Sequence, residues 1–494
     1  MLLSLCFQSD IPKKIKVIKH MEQTGDIIAC SNIAFGTSGA RGLVTDFSSL
    51  VVQAFALNFI EVMETDFQFK KICIGIDNRP SSYFIAQNIQ ATIQQKGYVC
   101  EFMGILPTPA LALYSGFEKC PAIMVTGSHI PFDRNGLKFY SPEGEISKKQ
   151  ETLISSLNVQ FNKVELLEEL KSLDFAKRKY IERNFLGEKA LLGWRIGIYE
   201  HSSSGRDIYS ELFESMGAEV VRIERSEHFV PIDTEAVPEQ LKTKSKQWAS
   251  DYKLDAVFST DGDGDRPMLA DENGVWLKGD VLCILACKAL GIKNIALPVS
   301  CNTVAERCEE FNLIERTKIG SPYVIEALAR IKTQTTAAGF EANGGFLLST
   351  DAVIKGKKVD ALETRDALLP VLAVLDMSNE NKLSTLSKSF LERFTESGRV
   401  QGVDKSSSEI LLNMIMKEDE SVLETICQKT HSEIAGVCKV DGLRLTFKND
   451  DIIHFRQSGN APELRCYVES ATQQGAKELL ENCISNINQF LSKV

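Results

Sequence analysis

Short apolar runs alternate along the chain with polar stretches whose apolar positions recur at helical spacing, and the order repeats three times. In the first round, Ile72-Cys73-Ile74-Gly75-Ile76 predicts a strand, followed by a polar turn and a helix over 81–96. Gly97 stops that helix, and a second strand is expected over 98–102. The second round has a strand over 194–199, a Ser/Gly turn, a helix over about 206–216, Gly217, and a strand over 220–223. The third has a strand over 294–298, a turn at Ser300, a helix over 303–311 and a strand at Leu313-Ile314, without the glycine. Strand, helix and strand in that order predict a crossover onto a largely parallel sheet.

Each round then meets another apolar strand that runs into a polar loop. These are 122–125 before Thr126-Gly127-Ser128-His129, 256–259 before the Asp261 cluster, and 337–340 before Glu341-Ala342-Asn343. A return strand follows each loop, as at 137–140. Ligand chemistry in open α/β sheets gathers beyond the carboxyl ends of strands, so three such loops can serve one cleft. After about Thr395 the pattern changes to a polar link at 405–408, a helix, strands within 441–455 and 464–468, and an amphipathic helix over 475–490. The fold class expected is α/β: three related mixed or parallel α/β domains plus a smaller C-terminal α+β domain around a central cleft. The divisions fall at 1–165, 166–278, 279–395 and 396–494, in keeping with a 494-residue chain that is too long for a single core.

Composition narrows the function. The formal net charge is −10, which argues against nucleic acid or an anionic membrane as the main partner. An anionic substrate therefore needs positive charge concentrated at a site. Thirteen cysteines are scattered singly with no C-x-x-C, and they read as reduced core residues. The start, Met1-Leu2-Leu3-Ser4-Leu5-Cys6-Phe7, lacks the basic flank of a signal peptide. The apolar stretch 281–296 is broken by Lys288 and Lys293, so no membrane span is expected and the chain reads as cytoplasmic.

The strongest chemical signal is Asp261-Gly262-Asp263-Gly264-Asp265-Arg266. Three carboxylates at alternate positions, with glycines allowing a tight curl, can converge on one hard cation. Glu272 sits at the twelfth position from Asp261, as in a calcium-binding EF-hand, but Arg266 stands where that loop needs glycine and Pro267 follows. Mg²⁺ suits the few carboxylates better than Ca²⁺; a solvated acidic turn is the plain alternative. Ser128, between Gly127 and His129, can be a nucleophile or an ordinary turn serine, and it lacks G-x-S-x-G. Lys138, after the Asn135-Gly136 turn, can point back toward it. The glycine-rich stretch 35–42 offers backbone N–H groups and Arg41 to an anion, or is a flexible turn. The segment 456–462 is rich in donors suited to a phosphate, or is a polar hairpin turn.

Taken together, GTSGARG at 36–42, TGSHIP at 126–131, NGLKFY at 135–140, DGDGDR at 261–266, GFEANGG at 339–345 and RQSGNAPELR at 456–465 resemble the α-D-phosphohexomutase family in order and spacing. The resemblance implies four domains, and Ser128 as a phosphoserine. Asp261, Asp263 and Asp265, with an oxygen on Ser128, would hold Mg²⁺, and Arg266 would lie beside them. It implies Glu341 and Asn343 on the sugar hydroxyls, and Arg456, Ser458, Gly459 and Asn460 on the distal phosphate. Lys138 and Arg41, with His129 beside the serine, would handle protons, Lys138 acting as base if neighbouring cations depress its pKa. The implied activity interconverts a hexose 6-phosphate and a hexose 1-phosphate through a hexose 1,6-bisphosphate. A small sugar phosphate is the partner, and the chain is a monomer or homodimer.

Several positions depart from the family pattern: Ile130 where many relatives have asparagine, FEANGG for the commoner GExSG, Ser321 where lysine or histidine is frequent, and Asn460-Ala461 for Thr-Glu. The sugar loop looks most like that of bacterial phosphomannomutases and unlike the GEQSGH-like loop of phosphoglucosamine mutases. A phosphoglucomutase or dual-specificity enzyme remains as an alternative, as does a metal-dependent sugar phosphatase in which water attacks the phosphoserine.

Overall fold

A computed structural model describes residues 21–36, 38–166, 169–333, 335–378, 382–388, 393–403, 405–416, 432–457 and 463–491. The start at 1–7 and residues 458–460, expected on the distal phosphate, lie outside them.

Three sheets share one strand order. In each, a central strand (Lys71–Ile76, Arg195–His201 or Asn294–Pro298) pairs in parallel with the strand that follows it (Val99–Ile105, Glu219–Arg225 or Leu313–Thr317). On its other side it pairs in parallel with a loop-bearing strand, Ala122–Val125, Ala256–Thr260 or Ala337–Phe340. That strand turns back into an antiparallel partner, Arg134–Ser141, Pro267–Ala270 or Phe346–Leu348. The internal repeat is thus one topology used three times, and each sheet is mixed. Ala40–Leu43 and Ala34–Phe35 extend the first sheet, and Leu362–Asp366 extends the third.

The helices form where the spacing placed them, over Ser82–Gln95 and Arg206–Ser215. Gly97 and Gly217, with φ of +83° and +91°, sit just past their ends in the left-handed region that favours glycine. The third crossover differs from expectation. In place of a helix over 303–311 the chain makes a short 3₁₀ turn, Thr303–Arg307. The Asn302 side chain accepts from the Val304 N–H at 2.8 Å, and the Arg316 guanidinium collects the carbonyls of Pro298, Cys301 and Asn302. Those side chains satisfy a first-turn N–H and the carbonyls that lead into the turn.

The fourth sheet is antiparallel, running Phe394–Gln401, Glu463–Ser470, Ile452–Gln457, Leu443–Phe447, Ile434–Cys438, and Gln473–Leu491 packs on it. Phe394–Gln401 pairs along its whole length with Glu463–Ser470, so this strand spans the division expected at 395/396. The Ser-rich segment expected as a link begins the helix Lys405–Met416.

Burial explains how the units are held. One continuous apolar core joins Leu111, Tyr180, Phe213, Phe258, Leu285 and Leu372, which come from all three α/β units. The last unit has its own core around Leu445, Phe455, Val468 and Ile487. Cys30 is exposed, against the core reading, because it ends a short helix at the surface; Cys73, Cys120, Cys283, Cys287, Cys301, Cys308, Cys466 and Cys483 are buried. No helix among the described residues is long and apolar enough to cross a membrane.

Phe258 is fully buried, with the rings of Tyr209 and Phe213 at 5.1 and 5.4 Å. Phe258→Ala is expected to cost about 3–5 kcal/mol. Urea unfolding followed by circular dichroism should show the lower midpoint, and an unchanged midpoint would contradict this packing.

Candidate functional site

The three loop-bearing strands end at the same place. Ser128 Oγ, from the first unit, donates to Asp261 Oδ2 of the second at 2.7 Å, and both residues are fully buried. Carboxylate oxygens of Asp261, Asp263 and Asp265 lie within 4.8 Å of one another. Two other buried oxygens there, Asp263 Oδ1 and Asp265 Oδ1, have no hydrogen-bond partner. Hard, anionic oxygens that converge with unused lone pairs fit a small divalent cation. The cluster can therefore bind a metal.

Its electrostatics follow from what surrounds it. Burial and the charges of Asp263 and Asp265 push Asp261 well above the usual carboxylate range. Burial also opposes ionisation of Asp263, but Lys138 and the Thr108 hydroxyl, bound at 2.6 Å, bring it below that range. Asp265 is lowered against burial mainly by Arg365. Lys138 Nζ sits 2.6 Å from Asp263 and 2.7 Å from Asp265. Its direct ion-pair partners are these two carboxylates.

Ser128 has φ of +54°, a strained conformation for a residue with a side chain, costing on the order of 1–3 kcal/mol. Two residues missed in the sequence hold it. Asp77 accepts from the Thr126 hydroxyl at 2.8 Å, and that hydroxyl oxygen accepts the Ser128 N–H at 2.8 Å. Arg79 donates to the carbonyls of Ser128, Ile130, Pro131 and Arg134, and its guanidinium lies over the Phe229 ring. Gly127 leaves room for it, since a Cβ there would lie 2.6 Å from the guanidinium carbon. The available signal was an Asp-x-Arg turn at the carboxyl end of the first central strand.

His129 and Arg266 sit beside the serine. Arg266 Nη1 is 3.0 Å from His129 Nδ1, which also lies 3.4 Å from Ser128 Oγ. An arginine can only donate, so Nδ1 is the acceptor and the ring proton is on Nε2. Burial, with Arg266 and Arg41, holds the His129 pKa well below its ordinary value, so the ring is neutral. Arg41, on Ala40–Leu43, is lowered to about 10 by burial, Arg266 and Arg365.

The central cation was also missed. Arg365 is buried on Leu362–Asp366, with no motif around it to mark it. It approaches Asp265 Oδ2 at 2.9 Å, Glu341 Oε2 at 3.1 Å and Ser38 Oγ at 3.4 Å. One side chain thus ties the metal loop, the 341–345 loop and the glycine-rich loop together. Ser38 Oγ in turn donates to Glu145 at 2.7 Å.

Glu341 and Asn343 share one tight loop, in which Asn343 Oδ1 accepts the Gly345 N–H at 3.0 Å and the Asn343 carbonyl accepts the Thr234 hydroxyl at 2.7 Å. A cleft opens beside this loop, lined by Thr234, Glu235, Lys278, Ala342, Glu396 and Tyr467 from the last three units. Arg456 lies at the end of Ile452–Gln457, paired with Asp441.

With this geometry in hand, comparison with known proteins gives a consistent outcome. Family models match residues 32–161, 178–274 and 278–395 as the alpha/beta/alpha domains I, II and III of phosphoglucomutase/phosphomannomutase. The chain is a phosphohexomutase, an isomerase by class. It belongs to the phosphoglucomutase/phosphomannomutase family. A phosphomannomutase of Salmonella muenchen is 48% identical over 96% of this chain and 100% of its own length. One of Sinorhizobium fredii is 39% identical over 92% and 99%. A crystal structure described as a putative phosphomannomutase from Thermus thermophilus shares the fold, with a TM-score of 0.75 at 19% identity, covering 93% of this chain and 99% of that one.

Breaking a buried ion-pair set by removing its cation costs about 3–5 kcal/mol. Arg365→Gln should therefore lower kcat/KM at least about 100-fold, equivalent to ~2.7 kcal/mol. Steady-state assay of the purified variant checks this, and near-normal activity would show that Arg365 is dispensable to the site.

Proposed function

We propose that the chain is a phosphomannomutase that carries its phosphoryl group on Ser128. The observation that carries this reading is the 2.7 Å contact between Ser128 Oγ and Asp261, which places a hydroxyl against a carboxylate cluster suited to a cation. The names of two near-full-length relatives, both phosphomannomutase, support mannose as the sugar. The chain divides for this purpose near 165, 278 and 395, three units giving loops to one centre and the fourth giving a clamp.

In the reaction, a free hydroxyl of a mannose 1- or 6-phosphate attacks the phosphorus on Ser128. The new oxygen–phosphorus bond forms as the bond to Ser128 Oγ breaks, and the hydroxyl proton leaves to a nitrogen base. Lys138 is the group assigned to take that proton, with Arg41 a donor beside the transferring oxygens. His129, neutral and engaged by Arg266, orients the serine side. Arg266 faces the transferring oxygens with positive charge, and Glu341 and Asn343 fix the sugar hydroxyls. Asp261, Asp263 and Asp265, with an oxygen on Ser128, would hold Mg²⁺, which supplies charge neutralisation at the transferring group.

The product of this half is the 1,6-bisphosphate. It turns about and returns its other phosphate to Ser128, while Arg456 and the 458–460 loop grip the distal phosphate.

Phosphopeptide mass spectrometry is expected to find phosphate on Ser128. Ser128→Ala should reduce mutase activity by at least about 10³-fold, or ~4 kcal/mol of transition-state stabilisation. Comparison of kcat/KM for mannose 1-phosphate and glucose 1-phosphate, with hexose 1,6-bisphosphate added, reads the sugar preference. Retained turnover in Ser128→Ala, or a clear preference for glucose, would overturn the corresponding part of the reading.

A further inference from the structure

We propose that Asp441 is a positioning residue that presets the Arg456 guanidinium for phosphate. The inference rests on the reading of Arg456 as part of the phosphate clamp.

The geometry is explicit. One oxygen of Asp441, Oδ2, lies 2.8 Å from Arg456 Nε and accepts the Ile319 N–H at 2.9 Å. Arg456 belongs to the last unit, and Ile319 to the loop between Leu313–Thr317 and Ser321–Ile331 of the third. A single carboxylate thus holds a cation of the clamp and a backbone donor of the neighbouring unit. Both side chains of the ion pair are 17% exposed, so solvent screens it only partly.

The turn that presents Asp441 is built for one conformation. Gly442 has φ of +74°, and a Cβ there would lie 2.2 Å from the Phe455 carbonyl oxygen. No other residue type fits without moving the strand that leads to Arg456. His454 Nε2 donates to the Asp441 carbonyl at 2.6 Å. Burial lowers the His454 pKa to about 4, which keeps the ring neutral, and it stacks on Tyr467 with centroids 5.4 Å apart. Asp441 is therefore held from both sides before any ligand arrives.

The consequence lies in which nitrogen is taken. A guanidinium recognises phosphate best through two parallel N–H groups in its plane. Asp441 approaches Nε as an ion pair with no hydrogen bond from that N–H, so the terminal pair is the edge its carboxylate does not occupy. The paired charge restrains where the guanidinium sits, so less rotamer entropy is lost when a phosphate binds. This contribution goes to binding, and the reacting phosphorus at Ser128 does not feel it directly. The expected signature is a raised KM at nearly constant kcat.

The test is a double-mutant cycle on the full-length enzyme with mannose 1-phosphate. Asp441→Ala is expected to raise KM about tenfold and change kcat by less than about twofold, with Asp441→Asn in between. Arg456→Ala should raise KM more, and the double variant should be no worse than Arg456→Ala alone, since Asp441 acts through it. An unchanged KM in Asp441→Ala beside a raised KM in Arg456→Ala overturns the proposal and leaves the clamp standing. Additive effects in the double variant also overturn it. An unchanged KM in Arg456→Ala overturns the clamp assignment itself. Should Asp441→Ala fail to fold, as judged by circular dichroism, Asp441→Asn carries the same comparison, because it keeps an acceptor oxygen for Ile319 and loses the charge.

Discussion

Three carboxylates that cannot escape one another govern the centre of this molecule. Asp261, Asp263 and Asp265 are buried on a single turn, and their repulsion in a low-dielectric setting has to be offset from outside that turn. The offsetting cations come from different units: Lys138 from the first, Arg266 from the second, Arg365 from the third. Electrostatics at the cluster therefore works as an assembly force between units. The remaining imbalance shows in Asp261, whose charged form is disfavoured and which draws the Ser128 hydroxyl as a donor. A buried anion with a hydroxyl against it and unused oxygens beside it is a ground state that a divalent cation relieves.

Packing sets which motions remain. The three α/β units share one apolar core, so the loops carrying Ser128, Asp261 and Glu341 are fixed relative to each other. The last unit has a separate core and meets the third through polar contacts: Glu469 accepts from Arg393 and Thr303, and Asp441 accepts from Ile319. Polar interfaces of this kind are easier to open than a continuous core, because water replaces the lost hydrogen bonds. That division gives a rigid centre where the three loops meet and a fourth unit joined to it by contacts that water can replace.

The sequence made the strand-and-loop frame readable because the physics is local. Apolar runs such as Ala122–Val125 and Ala337–Phe340 end abruptly in polar loops, and Gly97 and Gly217 mark helix ends. Asp261, Asp263 and Asp265 were legible as a metal turn because one spacing carries all three. What stayed hidden depends on distant partners. At the turn Thr303–Arg307, Arg316 from the following strand binds carbonyls leading into it, a contact the local pattern does not show. Arg365 looks like any arginine on a strand until the fold sets it between Asp265 and Glu341. Lys138 was placed near the serine, yet its two carboxylate contacts come from a turn more than a hundred residues away.

The backbone of Ser128 ties these levels together. A left-handed conformation at a residue bearing a Cβ is unfavourable by itself, and it persists only where surrounding contacts over-determine it. Here Arg79 fastens four carbonyls of the loop, and the Thr126 hydroxyl, itself bound to Asp77, accepts the Ser128 N–H. Charge-assisted hydrogen bonds of this sort contribute about 1.5–3 kcal/mol each, enough to outweigh the strain. The hydroxyl is consequently aimed at Asp261 before any sugar binds. In the proposed reaction, a serine oxygen already in place loses little entropy on the way to the transition state, which is the advantage such strain confers.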